Sequence, residues 1–259
     1  MTKAETPQVL VTGEEVVRTL TLNRGERFNP LSSAMIAALQ AELDAAAGDG
    51  KVRVIVLAAL GQGFCAGHDL KELRAHAGDP AWQRRLFDNC SRLMMTLTQI
   101  PQPIIARVHG IATAAGCQLV AACDLAVAAE EARFALPGVN VGLFCSTPAV
   151  AVARNIGRKR AMELLLTGEP VDARTAQAWG LVNRVVPSAA IDAELRKLTD
   201  LIVAHSAATI ALGKKTFYRQ ISETIDKAYD TASEAMACNM GYAEARVGID
   251  AFLGKRASR

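Results

Sequence analysis

Aromatic side chains are scarce. Phe, Trp and Tyr make up 5% of the 259 residues, although 51% of the chain is apolar. Ala, Val, Leu and Ile therefore carry the apolar fraction, which suits close-packed helices and tight backbone approaches and argues against a surface of aromatic stacking platforms. Charge of one sign is lacking too: 29 basic and 26 acidic residues leave +3, interspersed along the chain, too little for a nucleic-acid-binding surface. No run approaches the roughly 18 uninterrupted apolar residues of a membrane span. The opening MTKAETPQ has neither the basic start nor the apolar centre of a secretory signal. CxxC pairs are absent. The cysteines at 65, 90, 117, 123, 145 and 238 lie in apolar or turn sequence, so they are expected as small core residues of an intracellular protein, not as disulfides or a zinc site.

What is present is enough chain for a substantial core and a recurring pattern. Val16 to Asn23 reads as a strand, followed by an amphipathic helix from about Ser33 to a stop at Asp49-Gly50. The continuous apolar run Val52 to Leu60 is a buried strand. It leads through the turn Gly61 to Gly67 into a short helix that Asp69 is suited to cap. After a longer helix, Pro80 to Thr98, the pattern repeats: strand Ile104 to Val108, a small-residue turn Gly110 to Gly116, helix Cys117 to Ala122 and strand Asp124 to Ala128. This succession marks an α/β domain. A loop at Pro137 to Gly142 precedes helices at Thr147–Ile156, Arg160–Leu166 and Asp172–Trp179 and a short strand Val182–Val185; from about Ala189 onwards the chain reads as helical.

The two turns are the strongest chemical signals. Each leads from a buried strand into a helix N-terminus, whose first N–H groups lack intrahelical partners and favour negative charge. If the N–H groups of His68 and of Ala115 or Gly116 converge, they form an oxyanion hole, and small residues there let a ligand carbonyl reach the backbone. On local pattern alone the same residues fit plain tight turns better. Gly61-x-Gly63-x-x-Ala66 formally matches a dinucleotide fingerprint, but the following helix is short and highly charged, and no strand ending in an acidic residue follows about 20 positions on.

The segments Phe64-Cys-Ala-Gly-His-Asp-Leu-Lys-Glu-Leu73 and His109-Gly-Ile-Ala-Thr-Ala-Ala-Gly-Cys-Gln-Leu119, with Cys123-Asp124, resemble the paired signatures of the enoyl-CoA hydratase/isomerase (crotonase) family. Leu166 to Ala173, Gly180 to Val182 with Val185 to Pro187, and Ala251 to Arg256 are similar to further blocks, so the resemblance runs in order from about residue 8 to 256. Pro137 to Pro148 is most similar to the branch called enoyl-CoA hydratase domain-containing protein 3, whose eukaryotic members are mitochondrial. No Arg- and Ser-rich presequence precedes the first strand, so the expected location is a bacterial cytoplasm, or the mitochondrial matrix if a presequence has been removed.

The resemblance implies the α/β crotonase fold. A spiral of ββα units forms two nearly perpendicular sheets over residues 1–195, followed by a C-terminal helical oligomerisation region over 196–259 that builds homotrimers or dimers of trimers. It implies an enzyme of acyl-CoA metabolism, a lyase or isomerase, acting on acyl-CoA or enoyl-CoA thioesters with no prosthetic group, the CoA moiety belonging to the substrate. The thioester carbonyl would sit between the N–H groups of His68 and Ala115. Ala66, Gly67, His68, Asp69, Leu70, Lys71 and Gly116 would line the CoA, with Arg24, Lys71 and Lys255 as phosphate partners; Lys214, Lys215 and Lys255 would reach in from a neighbouring subunit. The two water-activating glutamates of the family's hydratases fall on Gln118 and Gly138, and neither residue can act as a general base. His68, Asn140, Cys145 and Ser146 are the candidate substitutes. The opposing possibility is an acyl-CoA-binding protein that keeps the donor pair and has lost proton transfer.

Overall fold

The structure, a computed structural model, describes residues 6–13 and 16–257, the last three of these by backbone alone. In chain order the elements are β1 (Val9–Gly13), β2 (Val17–Leu22), α1 (Ser33–Ala47), β3 (Val54–Ala59), α2 (Leu70–Ala75), α3 (Pro80–Gln99), β4 (Ile104–Val108), β5 (Ile111–Thr113), α4 (Ala115–Ala122), β6 (Leu125–Ala129), β7 (Arg133–Ala135), α5 (Ser146–Ile156), α6 (Arg158–Thr167), β8 (Val171–Asp172), α7 (Ala173–Trp179), β9 (Arg184–Val186), α8 (Ile191–Val203), α9 (Ala207–Gln220), α10 (Ile225–Met240) and α11 (Ala243–Ala257).

The continuous apolar run of β3 has a direct structural cause: every residue of the strand is buried, on both faces. Ile55, Leu57 and Ala59 face the main core, which holds Met35, Leu39 and Leu43 of α1 and Leu93 and Leu97 of α3. Val54 and Val56 face a second cluster with Ile191, Leu195 and Leu198 of α8. Helices on both faces and parallel neighbours are the setting in which strands lose their polar alternation. The six-stranded sheet has the order β1-β2-β3-β4-β6-β9, parallel throughout except for the β1/β2 pair.

A second sheet, β5-β7-β8, lies where the local sequence pattern shows no strand: β5 falls in the stretch read as a turn, and Asp172 of β8 at the start of one read as a helix. Gly110 to Gly116 is thus not one turn: Ile111–Thr113 pairs in parallel with Arg133–Ala135. The small strand positions the site. Phe64 and Cys65 N–H groups donate to the Ile111 carbonyl at 2.9 and 3.1 Å, and Thr113 N–H donates to the Cys65 carbonyl at 2.9 Å, so the turn after β3 is stitched onto β5. Five of the six cysteines are buried as small core residues; Cys238 is exposed.

Candidate active site

Asn29 anchors the turn after β3 from below. Fully buried, with φ +52°, it occupies the left-handed region that Asn tolerates better than most residues. Its Nδ2 donates to the Leu60 and Gly63 carbonyls at 2.8 and 3.0 Å, and its Oδ1 accepts the Arg24 N–H at 2.8 Å. The neighbouring backbone continues the clamp: Ala66 N–H donates to Phe28 O and Leu31 N–H to Gly67 O. Gly67, at φ +88°, then presses the turn against the start of α4, where a Cβ on Gly67 would stand 2.9 Å from the Ala114 Cβ and 3.3 Å from the Ala115 nitrogen. Ala114 is itself strained, at φ +50° and ψ −119°, an arrangement costing about 1–3 kcal/mol in a non-glycine residue. It is held by donating its N–H to Ala135 O of β7 at 2.9 Å while its carbonyl accepts the Gln118 N–H at 3.0 Å.

The two turns therefore meet, Gly67 against Ala114 and Ala115. Neither the His68 N–H nor the Ala115 N–H has an acceptor among the described residues. Both residues line one cavity of about 490 Å³, walled by Ala66, Leu70, Leu73, Phe87, Pro137, Val141, Leu143, Phe144 and Pro148, with His68, Asn140, Cys145, Ser146 and Thr147 as its polar side chains. No Asp, Glu, Lys or Arg lines it.

Of the two positions matched to glutamates, Gly138 lies on the wall, but its place is taken. A Cβ there would stand 2.6 Å from Leu143 O and 2.8 Å from the Cys145 Sγ. Gln118 on α4 is buried, does not line the cavity, and leaves its Oε1 without a partner. Burial pushes the Cys145 thiol above its ordinary range, opposed by the Gly138 N–H. Ser146 opens α5 with its hydroxyl 3.3 Å from Phe144 O. Asn140 packs against Gly168, where a Cβ would stand 3.0 Å from its Oδ1.

His68 is bound on one side only. Its Nδ1 lies 3.2 Å from the Leu31 carbonyl, the ring packs edge-on against Phe87 with centroids 5.3 Å apart, and the buried Nε2 has no partner. An unpaired buried acceptor costs about 1–3 kcal/mol. Burial also holds the imidazole below its ordinary pKa of 6.5, against the opposing effects of the Leu31 carbonyl and the Glu72 carboxylate.

The remaining candidates divide. Leu70 lines the mouth, while Gly116 is wedged against Cys65 O. Asp69 caps α2 through the Lys71 N–H at 2.9 Å and pairs with Arg27 at 2.7 Å, and the Lys71 side chain is exposed. The Arg24 guanidinium donates to the Thr6, Pro7 and Asn23 carbonyls at 2.6, 3.0 and 2.6 Å. Lys215 is exposed on α9. Lys214 is a correction: its side chain is 6% exposed and engaged by three acceptors within the fold, so it does not reach out to a neighbour's phosphates. The side chain of Lys255 lies outside the described residues. Sequence reasoning missed Leu73 and Phe87, which reach the wall from α2 and α3 and carry no local signature.

Residues 12–259 match the family described as enoyl-CoA hydratase/isomerase. The chain belongs to that family. Enoyl-CoA hydratase domain-containing protein 3, mitochondrial, of Xenopus laevis is 44% identical over 251 residues, covering 97% of this chain and 85% of the relative. The crystal structure of an enoyl-CoA hydratase of Mycobacterium smegmatis superposes with a TM-score of 0.93 at 54% identity, covering 96% of this chain and 97% of that one. The human enoyl-CoA hydratase domain-containing protein 3 structure follows with a TM-score of 0.92 at 42% identity, covering 96% and 98%. The fold is accordingly the crotonase fold expected from the motif blocks, and the resemblance to that branch holds over nearly the whole chain.

Proposed function

We propose that this member of the family is an acyl-CoA-thioester enzyme that stabilises a thioester enolate between the backbone N–H groups of His68 and Ala115. The observation that carries this reading is the pair of donors without acceptors on the wall of one apolar cavity. A thioester oxygen set against both becomes more negative as the α carbon gains or loses a proton, and preorganised donors contribute about 2.7–4 kcal/mol each to that state. The apolar wall takes the acyl chain. Coenzyme A enters as part of the substrate, with Lys71 of the same subunit and Lys215 or Lys255 of a neighbour as cations for its phosphates. Exposed apolar residues on the C-terminal helices, among them Ile225, Tyr229, Met236 and Val247, support a homotrimer or a dimer of trimers. No helix among the described residues is long and apolar enough to cross a membrane. The proposed location is a bacterial cytoplasm, with the mitochondrial matrix as the alternative if a presequence has been removed; the curated relatives named as mitochondrial support that alternative.

Ordinary hydration is expected to be weak, because Gln118 and Gly138 occupy the positions matched to the water-activating glutamates, neither is a base, and each acid–base group contributes about 10²- to 10⁴-fold. The same deficit favours a second reading, an acyl-CoA-binding protein without turnover. Hydration of crotonyl-CoA and longer enoyl-CoAs, measured beside CoA-ester affinity on one preparation, separates these. We expect binding, with hydration at least about 100-fold below a typical kcat of roughly 10 s⁻¹. Hydration near that typical rate removes the claim of impairment. Binding without turnover on any thioester selects the second reading, and failure to bind any CoA ester defeats both.

A further inference from the structure

The cavity contains two titratable side chains, His68 and Cys145, and no carboxylate. Position 138 cannot regain one without displacing Cys145 and the Leu143 carbonyl. His68 is set up differently from everything else on the wall. The Leu31 carbonyl, 3.2 Å from Nδ1, can only accept, so Nδ1 carries the ring proton and Nε2 keeps the lone pair. That nitrogen is buried and unpartnered, and an orphaned polar atom in a residue that lines a site calls for an explanation. The same residue also presents one of the two orphan N–H groups. Donor and base thus lie within one side chain's length of each other.

We propose that His68 is the proton-transfer residue of this site, its Nε2 moving a proton from C2 to C4 of a 3-enoyl thioester. The inference rests on the acyl-CoA reading above. Nε2 takes the C2 proton, and the electrons of that C–H bond form a dienolate whose oxygen is held by the two N–H groups. The carbonyl then re-forms, C2=C3 is made, and the C3=C4 electrons take the proton back from Nε2 at C4. Atoms and charge balance with no water or co-reactant, which fits a cavity without a pair of carboxylates to hold and activate water. Nε2 is buried in the empty cavity, so the acyl chain must open a path to it while the Leu31 carbonyl keeps hold of Nδ1 and so of the tautomer. Around the ring, Glu72 of α2 is engaged by the Ser33 N–H, Asp69 is paired with Arg27, α3 presents Phe87, and Cys145 faces the cavity as a neutral thiol.

The test follows conversion of 3-hexenoyl-CoA to the conjugated 2-enoyl ester, with exchange of the C2 proton in D₂O read by mass spectrometry and hexanoyl-CoA affinity read by calorimetry. His68→Gln and His68→Ala are expected to lose about 10²- to 10⁴-fold in the isomerisation rate at saturating substrate, with hexanoyl-CoA affinity showing how much of the binding site each variant keeps. The unsubstituted protein should hold its rate above pH 6.5 and lose it as the pH falls below that value, a limb the variants lack. Variants within about tenfold of the parent rate overturn the proposal. So does a parent profile without the acid limb, which needs no variant to fold. A parent that binds hexanoyl-CoA but neither isomerises nor exchanges the C2 proton overturns the role of His68 and leaves the binding reading standing. A parent that binds no CoA ester removes that reading as well.

Discussion

Gly116 has no space for a methyl group, since a Cβ there would stand 2.1 Å from the Cys65 carbonyl oxygen. It sits in a helix, so close approach, and not an unusual backbone angle, demands the glycine. One residue earlier the demand is different. Ala115 is the first residue of α4, a position whose N–H has no intrahelical acceptor and whose backbone suits proline. Ala115→Pro therefore removes the donor while leaving the helix its start. Losing one such donor costs about 10²- to 10³-fold in turnover, so the variant should lose thioester chemistry by at least that factor, and some melting temperature with it, because the new ring crowds Gly67 and Ala114 lies outside the extended region that precedes a proline. A folded variant with parental turnover in the same assay would remove Ala115 from the oxyanion pair.

At the scale of elements, the turn between β3 and α2 is clamped by two histidines as well as by Asn29. His109, just after β4, has its Nε2 2.8 Å from Gly61 O while its Nδ1 is buried without a partner. Burial first, and Arg107 after it, lower its pKa below 6.5 against the Gly61 carbonyl; His68 is lowered by burial as well. Both groups bind protons more readily when unfolded, so stability is complete above 6.5 and declines as the pH falls from there towards the folded values. Urea midpoints should drop across that window, and His109→Gln should flatten part of the slope; a midpoint unchanged from pH 7 to pH 5 would exclude the effect. The buried runs of β3, β4 and β6 and the Asp69 cap were legible because burial on both faces and capping leave local marks. β1, β5 and β7 were not. Three-residue strands have no period to read, and the contribution of Phe87 to the cavity is created by packing between distant segments. Two orphan N–H groups could be foreseen from strand-turn-helix grammar, but the closure of position 138 by Cys145 could not.

Across the whole molecule, α9 is fastened to the body at one buried point. Lys214 Nζ donates to Leu97 O and Gln102 O at 2.8 Å each and to Asp124 Oδ2 at 2.7 Å. Asp124 also accepts the Ile104 N–H at 2.7 Å and the Tyr218 hydroxyl at 2.9 Å. The end of α3, the entries to β4 and β6, and α9 thus share one ion pair, with side-chain exposures of 6% and 16%. A pair so enclosed is costly to break from one side, because its partner is left charged and unpaired; about 3–5 kcal/mol is the usual loss. Lys214→Met should cost that much in denaturant titrations, while Lys214→Met with Asp124→Asn should cost less than the sum of the two single changes. The consequence extends beyond stability. α10 and α11 follow α9 and carry Ile225, Tyr229, Met236 and Val247 at the surface, so a loosened α9 misplaces the face proposed for assembly. Light scattering on Lys214→Met should therefore show a shift to smaller species at concentrations where the parent stays associated. A variant that loses under about 1 kcal/mol and keeps the parental mass would show that Lys214 is a peripheral cation and not the pin of the C-terminal helices.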